Sequence, residues 1–319
     1  MKIAVVLFNL GGPDKSENIK PFLRNLFKDP AIIDLPNPLR AFVAWLISTT
    51  RAPKAKPLYD LMGGFSPLLE NTKAQKEALE KVLKVKFPND EIKIFIAMRY
   101  WHPLSDECAK EVNEFSADKT ILLPLYPHYS ITTTGSSIKE FKNFYNKPVF
   151  EILDYPKLSG FIAANVKNIM EQWDILGNPQ KVRVLFSAHG LPQKVIDAGD
   201  PYEKQINETA NAIKEILPPF FETQVCFQSK VGPLKWLEPS TPDEIIRASR
   251  DKIGIIICPI AFVSDHIETL VELDVEYKEM CHELGVPFMG RSKTVSCDND
   301  FIEGLANLVA EKVKESSDV

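Results

Sequence analysis

The chain has 319 residues, of which 45% are hydrophobic and 25% charged, and its net charge is −5. These proportions are ordinary for a soluble globular protein with one large domain or two average ones. The acidic balance gives no basic field of the kind that binds nucleic acid, and no apolar run reaches the roughly 18 residues of a membrane span. The five cysteines form no C-x-x-C pair, which indicates a reducing compartment rather than a disulfide framework.

Apolar runs alternate with helical patterns along the chain. The run at residues 3–10 resembles a signal sequence, but Gly11-Gly12-Pro13-Asp14 follows without a small-residue cleavage site, so we interpret the run as a buried strand. Strands are predicted at residues 3–9, 92–98, 120–125, 148–152, 182–187, 224–228, 253–259 and near 286–289. Helices are predicted at residues 71–85, 106–115, 159–172 and 202–216. This order predicts an α/β fold with parallel sheets, as one barrel or as two four-stranded halves.

A repeated pattern favours two halves. Residues 121–134 read ILLPLYPHYSITTT, and residues 256–269 read IICPIAFVSDHIET. In both segments an apolar strand ends at a proline, and a threonine follows ten residues later. Two similar α/β lobes would bring these loops to facing edges with a cleft between them.

The loops at the predicted strand ends hold the candidate ligand contacts. Gly11-Gly12-Pro13 lacks the G-x-G-x-x-G pattern and a Walker A lysine, so it does not indicate a nucleotide site. Arg99, followed by Tyr100 and Trp101, can bind a carboxylate while the rings stack on a planar ligand. The alternative is that Arg99 pairs with an internal acid.

A short apolar segment between basic residues lies within residues 35–58. Residues 42–47 include Phe42, Trp45 and Leu46, and Arg40 and Arg51 flank them. This segment either packs on the core or forms an apolar lip for a membrane or a flat ligand.

His189 follows the apolar strand at residues 182–187 and precedes Gly190. A histidine at the C-terminal end of a buried strand lies where open α/β sheets bind ligands. Histidine is a general base near neutral pH and also a metal ligand, and both roles stay open at this point.

A row of acids follows the strand at residues 253–259. Asp265, Glu268, Glu272 and Glu276 are spaced by three, four and four residues, so in a helix all four carboxylates lie on one face, beside His266. Such a row is a solvated acidic face, a site for a divalent cation or a proton relay. The sequence has no G-x-S-x-G elbow and no clustered Cys and His, which argues against a serine hydrolase and a closed zinc site.

Several motifs together closely resemble the signature of the ferrochelatase family, and they occur in the family's order between residues 8 and 277. They are Asn9-Leu10-Gly11-Gly12-Pro13, Arg99-Tyr100, Thr134-Gly135-Ser136-Ser137, Phe186-Ser187-Ala188-His189-Gly190-Leu191-Pro192, Gly199-Asp200-Pro201-Tyr202, Gln228-Ser229-Lys230-Val231-Gly232-Pro233 with Trp236, and Ser264-Asp265-His266-Ile267-Glu268-Thr269-Leu270. The resemblance implies the chelatase fold: two Rossmann-like lobes, each a four-stranded parallel sheet flanked by helices, with the active-site cleft between them. The lobes are expected at residues 1–155 and 156–299, with a C-terminal helix at 300–319 packing back on the first.

The resemblance also implies the reaction and its residues. The chain is expected to insert Fe²⁺ into protoporphyrin IX, with His189 and Glu268 as the catalytic pair, as the final step of haem biosynthesis. The residues expected to border the porphyrin are Leu7, Tyr59, Ser66, Arg99, Tyr100 and Trp236. The residues expected to handle the metal are His189, Glu268, Asp265, His266, Glu272 and Glu276. Whether the acidic row conducts iron or protons stays open.

Departures from the family pattern refine these expectations. Ile131 occupies the mid-chain position where some members have a cluster-ligating cysteine, so we expect no iron–sulfur cluster and no cofactor beyond the substrate Fe²⁺. The first loop lacks the iron-coordinating tyrosine of the coproporphyrin branch, which favours protoporphyrin IX. The expected location is the cytoplasm, with peripheral membrane contact through residues 42–47 or a homodimer contact there.

Three alternatives stay open at this stage. One is a coproporphyrin III ferrochelatase. Another is a chelatase that inserts Co²⁺ or Ni²⁺ into a more acidic tetrapyrrole, which the apolar lip argues against. The third is a haem or metal carrier without turnover, which would need no base opposite the glutamate.

Overall fold

The computed structural model describes residues 1–230 and 232–315. Val231 of the motif at 228–233 and residues 316–319 of the predicted C-terminal helix lie outside the described residues. The described chain forms two compact units, one of Met1–Asp154 with the residues from Leu305 onward and the other of Tyr155–Gly304.

The first unit is built on a parallel sheet with the order β2-β1-β3-β4. Its strands are β1 (Lys2–Asn9), β2 (Glu91–Met98), β3 (Lys119–Pro124) and β4 (Phe150–Glu151). Its helices are α1 (Ile19–Lys28), α2 (Asn37–Asp60), α3 (Leu68–Lys86), α4 (Ser105–Phe115) and α5 (Ser136–Lys142), with a 3-10 turn at Ser16–Asn18 and a π-helical turn at Ile131–Gly135. On one face of β1, Val6 and Phe8 pack against Val112 and Phe141.

The second unit repeats this topology with the order β6-β5-β7-β8. Its strands are β5 (Val182–His189), β6 (Glu222–Gln228), β7 (Gly254–Cys258) and β8 (Met289–Arg291). Its helices are α6 (Ser159–Ile175), α7 (Gln193–Asp197), α8 (Tyr202–Ile216), α9 (Thr241–Asp251), a π-helix (Glu268–Tyr277) and α10 (Lys278–Glu283), and α11 (Asn299–Glu315) begins in this unit. The prediction of two four-stranded parallel sheets flanked by helices is confirmed.

Burial explains why the strand predictions succeeded. Ile255, Ile256 and Ile257 of β7 have no exposed surface, because a parallel strand between two layers of helices is covered on both faces. The repeated pattern also has a structural counterpart, since a π-helical segment follows the third strand in chain order of each sheet.

Helix α2 corrects one sequence interpretation, because it is a single helix of 24 residues rather than a short segment. Pro53 and Pro57 lie inside it, although a proline removes a backbone hydrogen bond from a helix interior. Contacts with α1 supply part of the tertiary packing on which helical stability mostly depends. Among the described residues, no helix combines the length and apolar character needed to cross a bilayer.

Gly160 in α6 permits a close approach of two backbones in the second unit. A Cβ atom at this position would lie 1.9 Å from the carbonyl oxygen of Asp300. Helix propensity alone predicts that Gly160→Ala stabilises α6 by up to about 1 kcal/mol. The steric conflict with a backbone atom predicts the opposite: the free energy of unfolding, measured by chemical denaturation, should fall by about 1–3 kcal/mol. The exposed Ala163→Gly on the same helix is the control, with a loss of about 1 kcal/mol from propensity. A higher free energy of unfolding in Gly160→Ala than in the wild type would contradict the close approach of Gly160 to the Asp300 backbone.

Candidate active site

His189 is the last residue of β5, two residues beyond the predicted end of that strand. Its Nδ1 atom lies 2.7 Å from Oε2 of Glu268, and 38% of its side chain is exposed. The next residue must be small, because a Cβ at Gly190 would meet the Gln228 carbonyl oxygen at 3.0 Å and the Trp236 ring at 3.2 Å. The strand end therefore holds the imidazole at the surface of the unit, with one nitrogen bound to a carboxylate.

Glu268 is the first residue of the π-helix, and His266 orders this helix start. The backbone N–H of Glu268 donates to Nδ1 of His266 at 3.1 Å. Nδ1 of His266 therefore carries the lone pair, and burial keeps the pKa of His266 below its ordinary value. The ring also packs edge-on against Phe262 at 4.6 Å. In this structure His266 supports the position of Glu268.

The electrostatics of His189 and Glu268 favour an ion pair. Burial lowers the pKa of His189, but the charge and hydrogen bond of Glu268, with a further contribution from Glu272, raise it above 6.5. Burial raises the pKa of Glu268, but the charge and hydrogen bond of His189, followed by His266 and Ser229, hold it well below its usual range. An ionised carboxylate only accepts hydrogen bonds, so Nδ1 of His189 donates and Nε2 is the nitrogen left for a substrate.

The acidic row is shorter than the sequence indicated. Asp265 precedes the helix and pairs with Arg291 at 3.0 Å, while Arg291 also makes two hydrogen bonds of 2.7 Å to Asp274. The interpretation of four acids on one helical face is therefore wrong for Asp265. Glu268, Glu272 and Glu276 follow one another along the π-helix, in which backbone bonds run from residue i to i+5 rather than i+4.

The distal acids of the row have different environments. Glu276 is exposed, and its pKa is raised by desolvation of its carboxyl group and then by the charge of Glu272. Glu272 accepts hydrogen bonds from Ser229, Gln228 and Tyr277. In the part of the chain that the structure describes, no three His, Cys, Asp or Glu side chains converge as they do around a resident metal ion.

Arg99 in the first unit is bound to an acid that sequence reasoning missed. Its guanidinium lies 2.8 Å from Oδ2 of Asp29 and donates to Ser136 at 2.7 Å. The Tyr100 hydroxyl donates to the same Asp29 oxygen at 2.8 Å, and Ser136 donates to it as well. The alternative of an internally paired arginine therefore describes Arg99 in this structure.

The other predicted porphyrin contacts differ in exposure. Leu7, Tyr59 and Tyr100 are at most 5% exposed, whereas Ser66 and Trp236 are partly exposed. The ring centroid of Trp236 lies 6.4 Å from that of His189. The porphyrin contacts of all six predicted residues stay predictions.

The Asp29–Arg99 pair has a measurable effect on stability. The Arg99 side chain is only 13% exposed, and Asp29→Asn leaves its charge without a counter-ion. We therefore expect the free energy of unfolding, measured by chemical denaturation, to fall by about 3–5 kcal/mol. Glu70→Gln breaks the exposed pair of Glu70 with Lys73 and serves as the control, with a change within about 0.5 kcal/mol. Equal effects of the two variants would show that Arg99 is not held by Asp29.

Comparison with known proteins covers both units. The profile of the ferrochelatase family matches residues 2–313. The ferrochelatase of Caulobacter vibrioides (strain NA1000/CB15N) is 53% identical over 314 residues, which cover 98% of this chain and 90% of the relative. This chain belongs to the ferrochelatase family. The ferrochelatase of Rickettsia bellii (strain OSU 85-389) is 49% identical over 321 residues, covering 99% of this chain and 89% of the relative.

Solved structures with low sequence identity share the fold. SirB from Bacillus subtilis with Fe³⁺ has a TM-score of 0.56 at 14% identity, covering 99% of this chain and 98% of SirB. CbiX, described as the terminal enzyme of sirohaem biosynthesis in denitrifying bacteria, has a TM-score of 0.52 at 12% identity and covers 98% of this chain and 99% of CbiX. At these identities the likeness concerns the chelatase fold alone.

Sequence reasoning missed several residues that contact Glu272 or Arg99. Tyr277 follows Glu272 by five residues, a spacing that α-helical periodicity does not align but a π-helix does. Ser229 belongs to the motif at residues 228–233, but nothing in that motif indicates its contact with Glu272, which lies 43 residues further along the sequence. The sequence held no signal for Asp29, because its partner Arg99 lies 70 residues further on.

Proposed function

We propose that this chain inserts Fe²⁺ into protoporphyrin IX, releasing two protons and forming protohaem. Family membership makes the chain a lyase that inserts iron into a porphyrin for haem synthesis. The observation that supports the mechanism is the partly exposed His189 imidazole, whose Nδ1 is held by Glu268 at 2.7 Å. The iron is a substrate here, as is the porphyrin.

The geometry supports His189 as the base. A porphyrin binds a metal through four nitrogens, and two of these carry protons that must leave. With Nδ1 donating to Glu268, the Nε2 lone pair of neutral His189 can accept such a proton. The first pyrrolic N–H bond breaks, its electron pair stays on nitrogen, and the imidazolium that forms is stabilised by the Glu268 carboxylate. His189, whose side chain is 38% exposed, then releases this proton to water and accepts the second pyrrolic proton in the same way. Glu268 therefore fixes the tautomer and the orientation of the base.

The choice of protoporphyrin IX is supported by the first loop. This loop has no tyrosine, and Gly12 has no room for a side chain, since a Cβ there would lie 2.5 Å from Ser66. Anaerobic turnover should be measured for protoporphyrin IX and coproporphyrin III in parallel. A higher kcat/KM for protoporphyrin IX is expected, and a higher value for coproporphyrin III would overturn the choice of substrate but not the reaction.

We also propose that the protein holds no iron–sulfur cluster. Four of its cysteines are buried: Cys108, Cys226, Cys258 and Cys281. Burial raises the pKa of Cys226 and Cys258 to about 12, which disfavours the thiolate that ligates a cluster. Purified protein should contain no acid-labile sulfide. Stoichiometric sulfide would contradict the proposal.

The exposed face of α2 supports peripheral contact of a cytoplasmic protein with the inner face of a membrane. Leu39, Phe42 and Leu46 are each 46–58% exposed on this helix. Lys20 and Arg24 lie four residues apart on the neighbouring α1, where they line a surface cavity of about 390 Å³. An exposed apolar helix face, together with basic side chains on the helix packed against it, suits an anionic lipid surface.

Vesicle flotation tests this contact. The protein should float with vesicles containing phosphatidylglycerol, less with pure phosphatidylcholine, and not after Phe42→Ser with Leu46→Ser. Phe144→Ser removes a phenylalanine that is 46% exposed elsewhere and is the control. A protein that stays unbound would contradict the proposal. A dimer in sedimentation that the double substitution dissociates would assign α2 to a homodimer contact instead.

A further inference from the structure

Glu272 accepts more hydrogen bonds than a metal-binding carboxylate can keep. Its Oε1 accepts from the Ser229 backbone N–H at 2.9 Å and from the Tyr277 hydroxyl at 2.8 Å. Its Oε2 accepts from Gln228 Nε2 at 3.0 Å and from the Ser229 hydroxyl at 2.5 Å. A carboxylate offers about four lone-pair positions, so these four donors occupy them all.

A metal ion could bind Glu272 only by displacing these donors. Tyr277 is 8% exposed and Gln228 is 1% exposed, so water cannot readily replace the carboxylate as their partner. Glu276, which is exposed, and Asp265, which pairs with Arg291, do not share this arrangement. The environment of Glu272 is therefore that of a structural anion.

Ser229 connects Glu272 to the catalytic pair. Its φ of 64° lies in the left-handed region, and this conformation directs both its N–H and its hydroxyl to Glu272. Its Oγ also lies 3.4 Å from Oε2 of Glu268, the oxygen that contacts His189. Gln228 adds a second link, because its Nε2 donates to the Glu268 backbone carbonyl at 3.1 Å.

We infer that Glu272 is a positioning residue that fixes Ser229 and Gln228, and through them Glu268 and His189, and that it is not a ligand of the incoming metal. The positioning role of Glu272 rests on the proposed function. The statement that Glu272 does not bind the metal is independent of it. The inference assigns different functions to neighbouring acids of one row: Glu268 contacts the proposed base, and Glu272 holds the residues around Glu268.

Glu272→Gln tests the inference, because the amide keeps the size but replaces one acceptor oxygen by a donor. With Zn²⁺ as the metal and protoporphyrin IX as the porphyrin, kcat should fall about 10- to 100-fold while the KM for Zn²⁺ stays within twofold. Ser229→Gly removes the hydroxyl and relieves the positive φ, and it should lower kcat through the same network. The double variant should then be no worse than about the poorer single one. Glu279→Gln, an exposed acid in α10, is the control and should match the wild type.

Several results would overturn the inference. A KM for Zn²⁺ raised tenfold in Glu272→Gln would make Glu272 a ligand. An unchanged kcat with only a lower melting temperature would make its role merely structural, and additive effects of the two substitutions would separate Glu272 from Ser229.

Calorimetric titration of the porphyrin-free protein with Zn²⁺ separates this inference from the proposed function. The wild type and Glu272→Gln should give the same stoichiometry and Kd, and loss of a bound ion in the variant would overturn the assignment. An inactive wild type would refute the proposed function and, with it, the positioning role. The titration would still decide whether Glu272 binds metal.

Discussion

His189→Ala is expected to lower kcat for metal insertion by about 100- to 10,000-fold, the usual contribution of a positioned general base. The substitution removes the Nε2 atom that we propose as the acceptor of the pyrrolic protons, and it removes the imidazole that contacts the Glu268 carboxylate. Porphyrin affinity, measured by fluorescence quenching, should change little, because the imidazole is one contact on a large ligand. The readout is initial rate with Zn²⁺ and protoporphyrin IX.

The control for this prediction is His282→Ala. His282 is an exposed histidine in α10 of the same unit, and its removal should leave kcat unchanged. A His189→Ala variant that retains more than about a tenth of the wild-type kcat would show that another group, or water, takes the protons.

Glu268→Gln is expected to reduce kcat and to move the acidic limb of the pH profile to lower pH. In the wild type, burial lowers the pKa of His189, but Glu268 and Glu272 raise it above 6.5. The base form of His189 is therefore lost as pH falls through this raised pKa. The substitution removes the larger of the two carboxylate contributions while burial remains, so the pKa of His189 falls. Initial rates between pH 5 and 9 give the position of the acidic limb. An acidic limb at the same pH in the variant and the wild type would contradict the pairing of His189 with Glu268.

The same variant predicts a pH-dependent change in stability. The raised pKa of His189 contributes stability that is complete below its ordinary value of 6.5 and is lost as pH rises through the raised value. The lowered pKa of Glu268 contributes stability that is complete above its ordinary value of 4.5 and is lost as pH falls through the lowered value. The difference in melting temperature between the wild type and Glu268→Gln should therefore be largest between pH 4.5 and 6.5. A difference that is constant with pH would mean that the ion pair does not form.

The fold was accessible from the sequence because its buried strands are continuous apolar runs. Residues 255–257 of β7 are three consecutive isoleucines, and a strand covered on both faces permits no alternation with polar residues. The position of His189 at a strand end followed from the same pattern. Its contact with Glu268 was expected only from the family resemblance, since 79 residues of sequence separate the two.

The remaining features depend on tertiary structure. The acidic spacing of three, four and four fits an α-helix, but the segment forms a π-helix that begins only at Glu268, and Asp265 therefore lies outside it. The left-handed conformation of Ser229 is uncommon for a residue with a side chain, and its contacts with Glu272 come from a distant segment. Contacts of this kind have no periodic signal along the chain.

The most direct test of the central claim is anaerobic incubation of the wild-type protein with Fe²⁺ and protoporphyrin IX, followed through the Soret band. We expect protohaem formation over many turnovers, at a rate well above that of the reaction without protein. A protein that binds the porphyrin tightly, and shifts its spectrum without inserting the metal, would contradict the account and indicate a carrier.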